Sequence, residues 1–163
     1  PSAKLPVTFY EDTSLLPDFC DYSMKNRTYR YAENNILYPF GYGLTYSQVE
    51  CSDLTYSDKK VSLSVTNTGN TDTEDVVQIY IKGYSENAVP NYSLCGFKRV
   101  SLKKGETQKI ELMLDESAFE VVDKNGIRKV EGNKFMLFAG TSQPDELSEK
   151  LTGTKCLSLE INI

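Results

Sequence analysis

The 163-residue sequence contains no histidine and no tryptophan, and each absence removes a class of chemistry. Without histidine, a Ser-His-Asp or Cys-His nucleophilic arrangement is excluded, and a zinc site would need unusual ligands. Cysteine does not compensate. Cys20, Cys51, Cys95 and Cys156 are widely spaced, with no Cys-x-x-Cys pair among them. Separated thiols of this kind read as reduced core residues more readily than as a bridge framework, which favours a cytoplasmic, reducing compartment without excluding secretion. Carbohydrate platforms usually carry tryptophan, so any such platform here must rest on tyrosine.

Clustered positive charge is also missing. Eighteen Lys and Arg against twenty-three Asp and Glu leave a net charge of −5, and no basic run is longer than two residues. Nucleic acids and anionic membranes both recruit clustered cations, so neither is expected as a partner. No apolar stretch approaches the roughly 20 residues that would span a bilayer. Residues 1 to 10 show no charged n-region followed by an apolar h-region, so no signal peptide is visible. The first residue is proline, which suggests a piece of a longer chain. At this length a folded chain buries about 70% of its unfolded surface, enough for one core with an appendage.

What is present from residue 47 onward is alternation of period two, the mark of half-buried strands. In "KVSLSVTNTG", Val61, Leu63 and Val65 point to a core while Ser62, Ser64 and Thr66 face water. "EDVVQIYIK" repeats the pattern with Val77, Ile79 and Ile81, "QKIELML" with Ile110, Leu112 and Leu114, and "CLSLEINI" with Leu157, Leu159, Ile161 and Ile163. Turn formers separate the runs at 67–72, 103–106, 123–126 and 131–133. Seven or eight short strands with no helical periodicity of useful length predict an all-β sandwich over residues 47–163.

Residues 1–46 differ. They hold ten of the eighteen Phe and Tyr residues and prolines at 1, 6, 17 and 39, with no sustained alternation. Such a segment cannot bury its own rings and needs another surface. Its densest stretch, "YPFGYGLTY" at 38–46, suits either a sugar-stacking platform or a seam between two parts of a fold, and packing is the commoner use of such rings.

The acidic clusters Glu11 with Asp12, Asp72 with Glu74 and Asp75, and Glu120 with Asp123 are the candidates for paired general acid–base work. Each is placed by pattern in a loop or at a strand edge, where solvated charge is ordinary. "GYG" at 41–43 lacks the Gly-Lys-Ser/Thr that completes a phosphate loop and reads as a turn. "DKNG" at 123–126 lacks the later ligands of a calcium loop and reads as a hairpin turn. "NRT" at 26–28 and "NYS" at 91–93 are glycosylation sequons. No cofactor is expected.

Three passages together resemble the C-terminal end of glycoside hydrolase family 3, the β-glucosidases and β-xylosidases. "KLPVTFY" at 4–10 resembles the end of that family's α/β-sandwich domain. "DYSMKNRTYRY" at 21–31 with "LYPFGYGLTYSQVE" at 37–50 resembles its connector. "VSLSVTNTGNTDTEDVVQIYIKG", "LCGFKRVSLKKGETQKIELML" and "FMLFAGTSQPDEL" resemble its fibronectin type III-like, immunoglobulin-like domain. The resemblance implies an ordered, mostly irregular extension over 1–46, a sandwich over 47–163, and the catalytic domains of the same parent chain as partners. It also implies that the catalytic Asp and Glu lie in domains whose motifs do not occur here, so this chain alone is expected to be inactive. In the family, the loop matching 84–92 varies in length and in some members approaches the substrate entrance, which makes Tyr84, Asn91 and Tyr92 candidates for contact with the outer end of an oligosaccharide. An independent carbohydrate-binding module built on the tyrosine-rich segment is the alternative reading.

Overall fold

The computed structural model describes residues 1–163, apart from the side chain of Leu15. In chain order its strands are β1 (Phe9–Tyr10), β2 (Ile36–Tyr38), β3 (Val49–Ser57), β4 (Lys60–Asn67), β5 (Thr73–Gly83), β6 (Ser93–Leu102), β7 (Thr107–Met113), β8 (Glu120–Val122), β9 (Arg128–Val130), β10 (Lys134–Gly140) and β11 (Leu157–Asn162). Seven of them form two facing antiparallel sheets. One sheet has the order β11-β10-β5-β6 and the other β3-β4-β7, while β1-β2 and β8-β9 pair separately. This is the expected sandwich.

The alternation read in the sequence sets which face of each strand turns inward. Val61, Leu63 and Val65 of β4 face Val77, Ile79 and Ile81 of β5 across the interior, joined by Ile110, Leu114, Val100, Leu102, Phe135, Leu137 and Ile161 in one buried cluster. Full burial of each such side chain contributes roughly 1.5–3 kcal/mol relative to exposure. A slip of one residue in β4 would expose all three of its core side chains, so the alternation excludes that error in the observed pairing Val61↔Leu112, Leu63↔Ile110, Val65↔Gln108. The turns fall where expected: 67–72 joins β4 to β5, 103–106 joins β6 to β7, and Asp123 closes the β8–β9 hairpin by accepting from the Asn125 and Ile127 amides at 2.8 and 3.1 Å.

Three features depart from the sequence-based expectation. Ser62 does not face water: it is buried, and its hydroxyl donates to the Glu111 carboxylate on the neighbouring strand at 3.3 Å. Ile163 reaches past the end of β11 and is exposed, so the terminal run contributes Ile161 to the core and not its last residue. A helix also appears where no helical period was visible. Besides the single turn α1 (Thr28–Tyr31), the chain forms α2 (Glu146–Thr152) between β10 and β11. Seven residues are too few to show a 3.6-residue repeat, but the caps were written in "PDELSEKLTG". Asp145 accepts the Ser148 amide at 2.7 Å, and Gly153 closes the helix in the left-handed region at φ 71°.

Candidate functional site

The most ordered polar arrangement lies on the outer face of the four-stranded sheet, where β5 would ordinarily meet solvent. Gln78 and Tyr80 alternate with the core residues, yet they are 3% and 0% exposed. The 1–46 segment covers them. Tyr29 stacks on Phe40 at 4.2 Å and 15°, and its edge meets Tyr80 at 6.2 Å and 77°. The Tyr29 hydroxyl accepts the Leu94 amide at 2.9 Å, which ties α1 to the start of β6.

The buried polar atoms under this cover are paired among themselves. The Gln78 amide donates to the Gly41 and Thr141 carbonyls at 3.0 and 3.1 Å, and the Tyr80 hydroxyl donates to Gln78 Oε1 at 2.6 Å. Burial, and next the neighbouring Tyr29, hold the Tyr80 phenol well above its usual range, so it stays a donor at any ordinary pH. Gly41 sits at φ 77°, and a β-carbon there would lie 2.2 Å from Gln78 Oε1, so only glycine lets the chain approach this closely.

A second tie is ionic. Lys4 Nζ meets Asp75 Oδ1 at 2.7 Å, with side chains only 9% and 2% exposed. Asp75 is thus not the solvated strand-edge charge that pattern suggested. Backbone bonds from Leu5 to the Tyr42 carbonyl and from Gly41 to the Leu5 carbonyl, both 2.8 Å, bring the start of the chain onto the "YPFGYGL" turn. The remaining acidic clusters do local work. Asp12 caps a short turn through the Ser14 amide, Asp72 accepts the Lys104 amide at 2.9 Å, and Glu74 pairs with Arg99. Among these clusters no two carboxylates are hydrogen-bonded to one another in the way a shared proton requires.

The loop residues Tyr84, Asn91 and Tyr92 separate into two groups. Asn91 donates both amide bonds, at 2.9 Å each, to the Tyr29 and Ala32 carbonyls. Tyr92 is wedged edge-on between Tyr80 and Phe138, and its hydroxyl donates to Asp145 Oδ2 at 3.4 Å. Burial, followed by the Asp145 charge, pushes its phenol up. Both residues border a cleft of about 530 Å³ shared with Glu11, Glu33, Gln143 and Glu146, but the Asn91 amide is engaged in holding the extension and the Tyr92 hydroxyl is bonded to Asp145. Tyr84 stands apart, 56% exposed. Sequence reasoning did not single out Lys4, Gln78 or Tyr80. The available signal was that the outward positions of β5 from 76 to 80 carry no charge, which is unusual for a strand face left to water.

The extension has an outer side as well. Among the described residues, ten of the eighteen exposed large hydrophobics lie in 1–46, including Val7, Phe9, Leu37 and Tyr38. The β1–β2 pairing sets Phe9 opposite Tyr38, and Tyr38 stacks on Tyr42 at 5.6 Å and 4°. One side of the extension is therefore fastened to the sheet and the other presents apolar side chains. All four cysteines are free thiols; Cys20 is exposed, and burial pushes Cys51 and Cys95 up to about 12 and Cys156 to about 11.

Residues 75–143 match the fibronectin type III-like domain family. Over 161 residues the chain is 37% identical to a xylan 1,4-β-xylosidase of Xylanibacter ruminicola, covering 94% of this chain and 19% of the relative. A solved β-glucosidase structure from Erythrobacter marinus superposes with a TM-score of 0.76 at 29% identity, covering 99% of this chain and 22% of that one. A glycoside hydrolase family 3 β-glucosidase from Bifidobacterium adolescentis superposes with a TM-score of 0.63, also at 29% identity, over 77% of this chain and 19% of that one. The chain spans about a fifth of the length of the relatives it matches.

Proposed function

Because the chain belongs to glycoside hydrolase family 3, whose fibronectin type III-like domain it carries, we propose that it is a non-catalytic C-terminal brace of a retaining β-glycosidase acting on β-glucosides or β-xylosides. The observation that supports this reading most is the two-sided extension. Its inner side is locked to β5 by Tyr29, Gly41 and Lys4, and its outer side exposes Val7, Phe9, Leu37 and Tyr38. An apolar strip of this kind on an ordered segment is suited to a partner surface, and the catalytic domains of the same parent chain are the partner proposed here. The sandwich then acts as a rigid anchor that fixes the angle at which the extension meets those domains.

The test compares two proteins on aryl β-glucosides and β-xylosides. The 163-residue chain alone should show no turnover. The longer protein carrying Phe9→Ser with Tyr38→Ser should lose thermal stability and activity together, while its substrate KM changes little. Turnover by the isolated chain, or full stability of the double variant, would overturn the brace reading. A second reading, contact with the outer end of an oligosaccharide by the 84–92 loop, is supported by the exposed Tyr84 ring, since Asn91 is committed to the extension and Tyr92 to Asp145. It calls for Tyr84→Ala to weaken longer substrates more than aryl glycosides.

A further inference from the structure

We infer that the cleft beside Tyr46 is a binding site for a neutral saccharide, distinct from the 84–92 loop. The cleft holds about 440 Å³ between the Tyr42–Val49 stretch, the 69–70 turn and the end of α2, within the roughly 300–1,000 Å³ usual for small-ligand sites. The buried Lys4–Asp75 pair lines it. A lysine and a carboxylate already paired with each other supply strong donors and acceptors without net charge, which suits sugar hydroxyls better than it suits an anion or a cation.

The rim provides polar groups that are not spent. Tyr46 is 80% exposed, and only its backbone carbonyl is bonded, accepting from the Thr71 hydroxyl at 3.2 Å. Thr141 likewise uses its carbonyl, to Gln78, and among the described residues its hydroxyl and the Asn70 amide make no hydrogen bond. A flat ring beside an amide and a hydroxyl can cover the apolar face of a pyranose and engage its edge at the same time. At the opposite cleft Asn91 is bonded to the extension, and Tyr92 and the Gln143 amide nitrogen are bonded to Asp145, while Gln143 Oε1 has no partner. Tyr46 also borders a second, more open cleft with Asp72 and Glu74. The choice of saccharide as the ligand class rests on the family reading; the location rests on this geometry alone.

The experiment is a titration of the isotopically labelled 163-residue chain with cellotriose and xylotriose, following backbone amide shifts. Saturable shifts should centre on Tyr46, Asn70 and Thr141 with a Kd in the millimolar range. Tyr46→Ala and Asn70→Ala, both exposed and expected to melt like the parent, should each weaken binding about fivefold, as loss of one stacking or amide contact does. Tyr84→Ala should leave it unchanged. Absence of saturable shifts, shifts centred on 84–92, or binding unaffected by both variants would overturn the proposal. None of these outcomes bears on the brace, which is read in the longer protein by stability and turnover.

Discussion

Replacing Gly41 with alanine tests whether the extension is part of the fold or merely lies on it. The substitution places a β-carbon 2.2 Å from Gln78 Oε1 and 2.6 Å from the Tyr80 hydroxyl, in a residue held at φ 77°. The backbone conformation alone costs an alanine about 1–2 kcal/mol. Relief of the clash moves Gln78 out of reach of the Gly41 and Thr141 carbonyls and of Tyr80, and each buried polar atom left unpaired costs about 1–3 kcal/mol. One such atom brings the total to about 2–5 kcal/mol, a large fraction of the roughly 5–15 kcal/mol that stabilises a domain. Gly105 is the control: it has φ 74°, and a β-carbon added there would meet nothing within 4 Å, so Gly105→Ala reports the backbone cost by itself. Urea unfolding followed by circular dichroism gives the two differences. Hydrogen exchange at the Leu5 and Gly41 amides, which bond to Tyr42 and Leu5 carbonyls, shows whether the extension has lifted while the sandwich amides stay protected. Equal destabilisation by the two variants, with Leu5 and Gly41 still protected in Gly41→Ala, would refute the reasoning.

The ionic tie and the buried thiols give further tests. Lys4→Met leaves Asp75 buried without its partner and should destabilise by about 3–5 kcal/mol, whereas Lys4→Met with Asp75→Leu should recover most of that loss, since apolar replacement of both members of a buried pair is often neutral; denaturant midpoints of the single and double variants decide it. For the thiols, an unfolded cysteine ionises near about 8.5, while burial pushes Cys51 and Cys95 up to about 12 and Cys156 to about 11. Because the folded values are raised, their contribution to stability is complete below about pH 8.5 and is lost as pH rises toward those folded values. A disulfide-exchange reagent at pH 8 should accordingly titrate Cys20 rapidly and the other three only on unfolding; rapid reaction of more than one thiol in the native protein would count against this.

The sandwich was legible because its determinants are local. Val61, Leu63 and Val65, or Ile110, Leu112 and Leu114, repeat with period two, and that period assigns each side chain a face before any partner strand is known. The turns were legible for the same reason, since Gly105 and Gly126 mark positive φ wherever they occur. Helix α2 was harder to read because its length hides its period, although Asp145 and Gly153 mark its ends. What no local pattern contained was the second layer on β5. Gln78 and Tyr80 stand at outward positions, and the sequence by itself determines only that they face away from the core. Whether that face meets water or protein depended on where residues 1–46 come to rest. Contacts such as Lys4 with Asp75, Asn91 with Ala32 and Gly41 with Gln78 join residues far apart in the chain, and their free energy exists only once the strands that carry them have been assembled. The sequence alone therefore determined the sandwich, the inward face of its strands and its turns, and the tertiary structure decided the pairing of those strands and that the extension is fastened to β5 on one side and open on the other.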